Sequence, residues 1–305
     1  MLAILAAAAL ALPNGGIWKD TDGVHVNAHG GGLLKDGDVW YWYGEHKIGG
    51  GAGNRAHVGV GCYSSRDLVT WKNEGIALAV STKEGHDIEK ECILERPKVV
   101  KAPATGKYAM LFHLERKGLG YKDARVGFAV SDSPTGPFKF VRSCRPVDEK
   151  MMSRDMTVFA DDDGSVWHIF ASEENSTLHF AELAGDCLGY TGRWYRGAER
   201  HWTEAPAVVK HGGWYWILGS GCTGWKPNAA DFPLALGATS TSGLPVRYFV
   251  REGPAVVGDD GVLRLRDWPA GAKECDVTVC AYQWGVDGGK VKTAEPVFAT
   301  IRVTR

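Results

Sequence analysis

Residues 35–43 read Lys-Asp-Gly-Asp-Val-Trp-Tyr-Trp-Tyr, a glycine-containing turn followed at once by a strand rich in aromatic side chains. Such turns, leading into aromatic or β-branched residues, are typical of β-hairpins. The same turn-and-strand unit recurs at four later points in the chain. Its turn glycines are Gly37, Gly106, Gly164, Gly213 and Gly261. They lie 69, 58, 49 and 48 residues apart, which predicts repeats of about four short strands each.

A second marker precedes several of these turns. Glu95-Arg-Pro-Lys-Val-Val100 is similar to Glu204-Ala-Pro-Ala-Val-Val209, with a weaker echo in Glu252-Gly-Pro-Ala-Val-Val257. Repeats of this length predict an all-β fold, a β-propeller with four clear blades and a candidate fifth. A β-sandwich is the structural alternative, but it does not explain why the markers recur.

The last part of the sequence has a different character. After residue 249 the dense Trp and Tyr pattern ends, and the chain continues as alternating strands. Residues 250–305 are therefore interpreted as a divergent fifth blade or as a small appended β module. The propeller is expected to occupy residues 14–249.

The amino terminus is typical of a secretory signal. Residues 1–12 are almost entirely Ala and Leu, too few to span a bilayer, and Pro13 follows. Ala9-Leu10-Ala11 offers a cleavage site, so we expect residues 1–13 to be removed and the protein to be secreted or periplasmic. The alternative is a buried strand or helix.

Composition narrows the possible partners. The 305 residues include 35 Lys and Arg against 36 Asp and Glu, for a net charge of -1. No basic excess is present to neutralise phosphates, which disfavours nucleic acid and anionic membranes as partners. Forty Gly, 12 Trp, 10 Tyr and 10 Phe argue against a helical bundle and against disorder.

Neither the cysteines nor the histidines predict a metal site. The seven cysteines form no Cys-x-x-Cys pair, so most are interpreted as small core residues. Asp161-Asp-Asp-Gly164 lacks the further spaced ligands of a calcium loop and is interpreted as a turn. His29, His113 and His168 are placed toward the propeller axis, as core histidines rather than ligands. We expect no cofactor and no metal.

Three carboxylates stand at or near the start of predicted inner strands: Glu95, Asp155 and Glu204. Inner strands of a propeller converge on one funnel, so these groups are expected to share a pocket. Glycoside hydrolysis needs a protonated acid for the leaving oxygen and a neighbouring charge that raises its pKa. The alternative is local pairing, of Glu95 with Arg96 and of Asp155 with Arg154.

Aromatic residues beside glycine-rich turns give a second indication of sugar binding. They are Trp42, Tyr43, Tyr121, Trp202 and Trp225. Sugar rings stack on such side chains, although packing between blades accounts for most of the tryptophans. Trp225, in Gly221-Cys-Thr-Gly-Trp225, is the strongest surface candidate.

Eight short strings, in order along residues 15 to 230, are similar to glycoside hydrolase family 43, and in particular to its exo-β-1,3-galactanase (galactan 1,3-β-galactosidase) branch. They are Ala28-His-Gly-Gly-Gly32, Trp42-Tyr-Gly-Glu45, Cys62-Tyr-Ser-Ser65, Glu95-Arg-Pro-Lys98, Ser153-Arg-Asp-Met156, Ser172-Glu-Glu-Asn175, Thr203-Glu-Ala-Pro206 and Gly221-Cys-Thr-Gly-Trp225. The resemblance implies a five-bladed propeller and an inverting mechanism.

The same resemblance implies roles for individual residues. Glu204 would be the general acid, Asp155 would tune its pKa and orient it, and Glu95 would be a further essential pocket carboxylate. The positions that hold the terminal galactose would be Glu45, Tyr121, Asn175 and Thr223. We add Trp225 and His29 to these substrate-binding candidates.

The sequence departs from the family pattern at the catalytic base. The wider family has an Asp where this chain has Asn27-Ala28-His29, and the galactanase branch uses a glutamine from the last blade. The single glutamine here, Gln283, stands in Ala281-Tyr-Gln-Trp284, which does not match that motif. Glu95 as a substitute base is a hypothesis.

The expected function is that of a secreted exo-acting β-1,3-galactosidase acting on β-1,3-galactan, such as the arabinogalactan of plant or algal walls. A second interpretation is a galactan-binding propeller whose hydrolysis is impaired by the altered carboxyl-terminal region. A third is another activity of the same fold, an arabinofuranosidase or a xylosidase.

Overall fold

The computed structural model describes residues 16–224, 234–235, 245–258, 261–283 and 294–304. The chain divides into two compact units, one ending at Cys222 and one beginning at Thr223. Among the described residues, helix is confined to a 3-10 turn at Gly120–Lys122 and a single α-turn, α1 (Pro146–Glu149). The all-β prediction is confirmed, whereas the boundary at residue 249 and the signal segment stay predictions.

The first unit contains three four-stranded antiparallel sheets and one hairpin, each numbered outward from its first strand. Sheet 1 has β1 (His29–Asp36), β2 (Val39–His46), β3 (Gly59–Ser65) and β4 (Lys72–Ala79); sheet 2 has β5 (Ile93–Lys101), β6 (Tyr108–Glu115), β7 (Arg125–Ser131) and β8 (Lys139–Cys144); sheet 3 has β9 (Met156–Ala160), β10 (Val166–Ser172), β11 (Thr177–Leu183) and β12 (Tyr190–Gly197); the hairpin, sheet 4, has β13 (Thr203–His211) and β14 (Trp214–Gly221).

Each sheet begins with the hairpin that the turn glycines predict. The first such turn joins Asp36 to Val39, and Gly37 adopts a φ of 58° there, a conformation that residues with a Cβ rarely take. The later turn glycines also have positive φ. Asp161–Gly164 is a turn, as predicted, because Gly164 donates its N–H to the Asp161 carbonyl.

Neighbouring sheets meet through their first strands. β1 contacts β5, β5 contacts β9, and β9 contacts β13. Two apolar clusters fill the layers between sheets: one lies between sheets 1 and 2 and includes Tyr43 and Phe112, and the other joins sheets 2 and 3 and includes Phe128 and Phe170. First strands that meet side by side are typical of propeller blades around an axis. The number of five blades stays a prediction.

Three of the four first strands carry the same irregularity near their start. The register shifts between His29 and Gly32 in β1, between Glu95 and Lys98 in β5, and between Glu204 and Ala207 in β13. The residue after the first of each pair has a positive φ: 59° at Gly30, 55° at Arg96 and 49° at Ala205. A bulge of this kind re-aims the side chains beside it, and here it recurs at equivalent points.

The described residues of the second unit form two three-stranded sheets. Their strands are β15 (Leu234–Ala235), β16 (Arg247–Glu252), β17 (Ala255–Val257), β18 (Val262–Leu265), β19 (Glu274–Tyr282) and β20 (Val297–Thr304), paired in the orders β15-β18-β17 and β16-β19-β20. The unit has its own core around Leu263, Val277 and Val279. Glu252 ends β16, and Ala255 starts β17 in the other sheet, so the third copy of the marker is divided between two strands. The register shift of β16 lies before this Glu, between Val250 and Glu252, rather than after it as in the first two copies.

The cysteines mostly occupy the core, as predicted. Cys62, Cys92, Cys144, Cys187 and Cys280 are buried, whereas Cys222 is exposed, and none forms a disulfide. Within the described residues, no helix has the length and apolar character needed to cross a membrane.

Candidate active site

The bulges of β1, β5 and β13 place His29, Glu95 and Glu204 at equivalent positions, each opposite a defined residue of the next strand. His29 faces Glu45, Glu95 faces His113, and Glu204 faces Ser220. Cross-strand partners on one face of a sheet are close enough to interact. Two of the three pairs therefore combine an imidazole with a carboxylate, and the third combines a carboxylate with a hydroxyl.

Asp155 lies just before β9 and joins two other sheets. Its Oδ2 accepts hydrogen bonds from the backbone N–H of Ala205, at 2.9 Å, and from the Arg96 guanidinium, at 2.8 Å. The first contact fixes the backbone directly after Glu204, and the second fixes the residue directly after Glu95. Asp155 thus links all three predicted carboxylates, although they come from three different sheets.

Glu204 is the carboxylate that the structure holds toward its protonated form. Burial raises the pKa of Glu204, and the negative charge of Asp155 raises it further, against the opposing effects of the Cys222 thiol and the Arg96 guanidinium. The Nδ2 of Asn175 lies 3.3 Å from Glu204 Oε1 and donates to it. A half-buried carboxyl with a raised pKa is suited to donate a proton at near-neutral pH.

Glu95 has the opposite surroundings. Its Oε2 lies 3.2 Å from Nδ1 of His113, and its Oε1 accepts the Tyr121 hydroxyl at 2.9 Å. Behind it, His113 Nε2 lies 2.9 Å from Oε1 of the fully buried Glu115. Burial lowers the pKa of His113, but its contacts with Glu115 and Glu95 outweigh burial and raise it to about 9. Glu95 therefore faces a cation at neutral pH.

Glu45 is the third carboxylate of the pocket and is held ionised. Its Oε2 lies 3.1 Å from His29 Nδ1 and 2.9 Å from Lys47 Nζ, and its Oε1 accepts the backbone N–H of Arg96 at 3.1 Å. Burial raises its pKa, but the contacts with His29 and Lys47 outweigh it, so the pKa of Glu45 lies below its usual value. A Cβ on Gly30 would lie 2.4 Å from Glu45 Oε1, so this carboxylate needs the glycine.

The remaining substrate-binding candidates are distributed as follows. Tyr121 is exposed at the pocket, and its hydroxyl also accepts from Asn54 at 2.8 Å. Asn175 belongs to the first unit beside Glu204, and within the described residues its buried Oδ1 has no hydrogen-bond partner. Thr223 is an exposed residue at the start of the second unit. Trp225 lies outside the described residues.

The alternative of local pairing is wrong for both carboxylates. Arg96 pairs with Asp155 of another sheet and not with Glu95. Arg154 pairs with Glu174 at 2.7 Å and donates to the Tyr121 carbonyl. The positive φ at Arg96 turns its side chain away from its neighbour in sequence, which explains why adjacency along the chain fails here.

Sequence reasoning missed several residues of the pocket: Lys47, Asn54, Arg96, Glu115 and Cys222. Arg96 and Cys222 stand inside motifs that carry the resemblance, so the signal was present. Asn54 follows a glycine-rich run, and Glu115 is two residues from His113, the spacing that puts both on one face of a strand. The sequence alone does not show which strand faces them.

One group of potential metal ligands occurs in the described residues. The ligand atoms of Glu95, His113 and Asp155 lie within 4.8 Å of one another. Each already has a charged partner in the protein, since Arg96 pairs with Asp155 and His113 pairs with Glu95. We assign no metal ion to them.

A pocket that sets one carboxyl with a raised pKa beside ionised carboxylates is the arrangement of a glycoside hydrolase. The sequence profile of the glycosyl hydrolases family 43 matches residues 32–232. The chain belongs to this family of β-propeller enzymes and is a glycosidase.

Solved structures of the family support the same assignment. A family 43 β-1,3-galactosidase with galactodeoxynojirimycin is 39% identical, covers 95% of this chain and 94% of its own, and has a TM-score of 0.69. An exo-β-1,3-galactanase from Clostridium thermocellum is 33% identical over 94% of this chain and 61% of its own, with a TM-score of 0.64. An exo-β-1,3-galactanase from Phanerochaete chrysosporium, solved with galactose, is 34% identical over 70% of this chain, with a TM-score of 0.61.

The alignment with the galactose complex covers 48% of the Phanerochaete chain, and a variant of the same enzyme was solved with β-1,3-galactotriose. A search among curated proteins gave no match. The predicted resemblance to the galactanase branch of family 43 is confirmed.

Proposed function

We propose that this protein is an exo-acting β-1,3-galactosidase that releases galactose from β-1,3-galactan with inversion. The observation that carries the proposal is the contrast between Glu204, whose pKa is raised, and Glu95 and Glu45, which face cations. Relatives solved with galactose, β-1,3-galactotriose or galactodeoxynojirimycin support galactose as the sugar. The arabinogalactan of plant or algal walls is the proposed source of the substrate.

In this mechanism Glu204 donates its proton to the glycosidic oxygen, which leaves with the remainder of the galactan chain, while water attacks the anomeric carbon of the terminal galactose. Asp155 raises the pKa of Glu204 and, through the N–H of Ala205, orients the backbone that carries it. Asn175 holds Oε1 of the acid in place by donating a hydrogen bond to it. Glu45 and Tyr121 supply an acceptor and a hydroxyl for the hydroxyl groups of the terminal galactose.

Glu95 is our candidate for the base that takes the proton of the attacking water. At the position of the wider family's Asp, Asn27 is tied into the backbone: its amide donates to the Lys47 carbonyl at 2.6 Å and accepts the Lys47 N–H at 3.0 Å. Gln283 is buried in the second unit, away from solvent. Glu95 keeps a carboxylate in the pocket, with its Oε2 3.2 Å from His113 Nδ1.

The test is galactose release from β-1,3-galactobiose by residues 14–305, compared with Glu204→Gln and Glu95→Gln. Loss of the acid should lower kcat by about 10²- to 10⁴-fold, and loss of the base by a similar factor. A nitrophenyl galactoside has a good leaving group, so Glu204→Gln should lose much less activity on it than Glu95→Gln does. Equal losses on both substrates would contradict the assignment of Glu204.

Further measurements on the same protein test the stereochemistry of the reaction and the two alternative functions. Proton NMR should show α-galactose as the first product, and β-galactose would exclude inversion. Binding of galactobiose without release would favour the impaired galactan-binding propeller. Release of arabinose or xylose in preference to galactose would favour the third interpretation.

Secretion belongs to the same proposal. The chain expressed from residue 1 with its native start should lose residues 1–13 and leave the cytoplasm, which amino-terminal sequencing of the exported protein would show. Retention of Met1 on an active cytoplasmic protein would contradict it.

A further inference from the structure

Behind Glu95 lies a pair of ionisable residues that no substrate could touch. Glu115 has 0% of its surface exposed and His113 has 1%. Glu115 uses Oε1 for His113, at 2.9 Å, and Oε2 for the backbone N–H of Ala124, at 2.8 Å. Both of its oxygens are therefore occupied, and its carboxylate is fixed on both sides.

Glu95, His113 and Glu115 are three adjoining ionisable groups, all buried, and removing their charges from water costs folding free energy. Replacing a buried ionic group by apolar residues of similar volume is often neutral or stabilising, because desolvation costs as much as pairing returns. Around these groups β6 is otherwise apolar, with Met110, Leu111, Phe112 and Leu114 all wholly buried. An apolar residue at position 113 would suit this strand, so the pair is not explained by stability alone.

A comparison of the bulged strands β5 and β13 shows how the His113–Glu115 pair changes the surroundings of a glutamate. Glu95 and Glu204 occupy the same place in their hairpins, but Glu95 faces His113 and Glu204 faces Ser220. Only the first glutamate meets an imidazole backed by a second carboxylate. The partner on the next strand thus distinguishes two side chains that the fold otherwise treats alike.

We propose that His113 and Glu115 are positioning residues that place a positive charge beside Glu95 and orient it for activation of the attacking water. The inference rests on the proposed function, because it assigns a task to the Glu95 of that mechanism. Glu115 fixes the imidazole through Nε2, and Nδ1 then presents a positive charge to Glu95 Oε2. Tyr121 fixes the other oxygen of Glu95 from the opposite side, at 2.9 Å.

The groups that face His113 come from four places in the fold. They are Glu95 on β5, Glu115 on β6 itself, Tyr121 in the 3-10 turn, with ring centroids 5.9 Å apart, and Asp155 before β9. Three of these groups are carboxylates, and a negative charge nearby favours the protonated, positively charged form of His113.

The kinetic experiment uses Glu115→Gln and His113→Gln in the same chain. Both variants should lower kcat on β-1,3-galactobiose by about 10- to 100-fold, since a misplaced catalytic group costs on that order. KM should change less than threefold, and the acid limb of the kcat/KM profile should move to higher pH. His168→Gln is the matched control, because His168 is as buried as His113 but contacts the Tyr190 hydroxyl and no carboxylate.

A second measurement follows the imidazole directly and needs no activity. In the ¹⁵N-labelled wild type, His113 should remain protonated at pH 8, and in Glu115→Gln it should be neutral there. If galactose is released and neither variant changes kcat or the acid limb, the positioning role is overturned while the proposed function stands. If the wild type releases no galactose but His113 loses its proton in Glu115→Gln, the proposed function fails and the charged pair stands. A neutral His113 in the wild type at pH 8 would overturn the inference outright.

Discussion

At the scale of single residues, the chemistry of this pocket depends on what surrounds each carboxylate. Burial and Asp155 raise the pKa of Glu204, whereas His29 and Lys47 hold the pKa of Glu45 down against its burial. Asp155 has no direct contact with the leaving group in the proposed mechanism. It acts through a charge and through one backbone hydrogen bond, so its replacement should affect pH dependence as well as rate.

We expect Asp155→Asn to move the alkaline limb of the kcat/KM profile to lower pH. Removing the negative charge removes one cause that raises the pKa of Glu204, so the acid loses its proton earlier as the pH rises. The amide also weakens the contact with Arg96, so kcat should fall by about 10- to 100-fold. The measurement is kcat/KM between pH 4 and 9.

The matched control for this variant is Asp132→Asn. Asp132 is an exposed aspartate on the outer part of sheet 2, paired with Lys107 at 2.9 Å, and it lies outside the pocket. Its profile should coincide with that of the wild type. An Asp155→Asn profile with an unchanged alkaline limb would contradict the role given to Asp155.

At the scale of strands and hairpins, the sequence predicts much of the fold because the information is local. The predicted turn glycines stand one or two residues before the starts of the β2, β6, β10 and β14 strands. The repeated Glu-x-Pro marker also located the bulged starts of β5 and β13. The weaker third copy failed because its two halves belong to different sheets, and nothing in six residues reveals that.

The sequence predicted those residues of the candidate site that a short local motif identifies by itself. These are Glu45, Glu95, Asp155 and Glu204, and the structure brings them together. Their partners depend on cross-strand register and on contacts between sheets, such as Arg96 with Asp155. Such contacts are set by tertiary packing, so local patterns predicted the charges of the pocket but not how they pair.

The hairpin of sheet 4 permits a direct test of the partner rule. Ser220→His places an imidazole opposite Glu204, where β6 already has one opposite Glu95. The added cation should lower the pKa of Glu204, so the alkaline limb should shift to lower pH and activity at pH 7 should fall several-fold. Kinetics at pH 5, 6 and 7 would measure both effects.

Ser220→Gln is the control for size without charge. It should reduce activity to a similar extent at every pH, because steric interference does not titrate. If Ser220→His and Ser220→Gln give parallel profiles, the residue across the hairpin does not set the acidity of Glu204.

At the scale of the whole molecule, the buried His113 and the partly buried Lys98 have opposite effects on the pH dependence of stability. His113 has a pKa raised to about 9, as its contacts with Glu115 and Glu95 outweigh burial. Lys98 lies beneath the bulges and donates to the carbonyls of Gly30 and Arg96. Burial, together with the charge of Arg96, lowers its pKa to about 7.

The signs follow from which state binds more protons. Between pH 6.5 and 9 the folded chain holds the His113 proton more tightly than the unfolded chain, so this group's stabilisation is lost as the pH rises. Between pH 7 and 10.5 the unfolded chain holds the Lys98 proton more tightly, so the second group makes the fold more stable as the pH rises. From pH 7 to 9 each changes the free energy of unfolding by up to roughly 2–3 kcal/mol, in opposite directions.

The wild type should therefore show a nearly constant free energy of unfolding from pH 7 to 9. From pH 7 to 9 the free energy of unfolding should rise for His113→Gln and fall for Lys98→Met. This expectation concerns the slope with pH and does not depend on how much each substitution destabilises the protein at pH 7. Urea midpoints read by tryptophan fluorescence suit the test, since nine of the twelve Trp precede Thr223. Above pH 9 the buried Cys62 and Cys92 thiols, whose pKa burial raises to about 12, add their own loss to all three proteins. Slopes of equal sign in the two variants would show that His113 and Lys98 do not govern the pH dependence, because only opposite effects can cancel in the wild type.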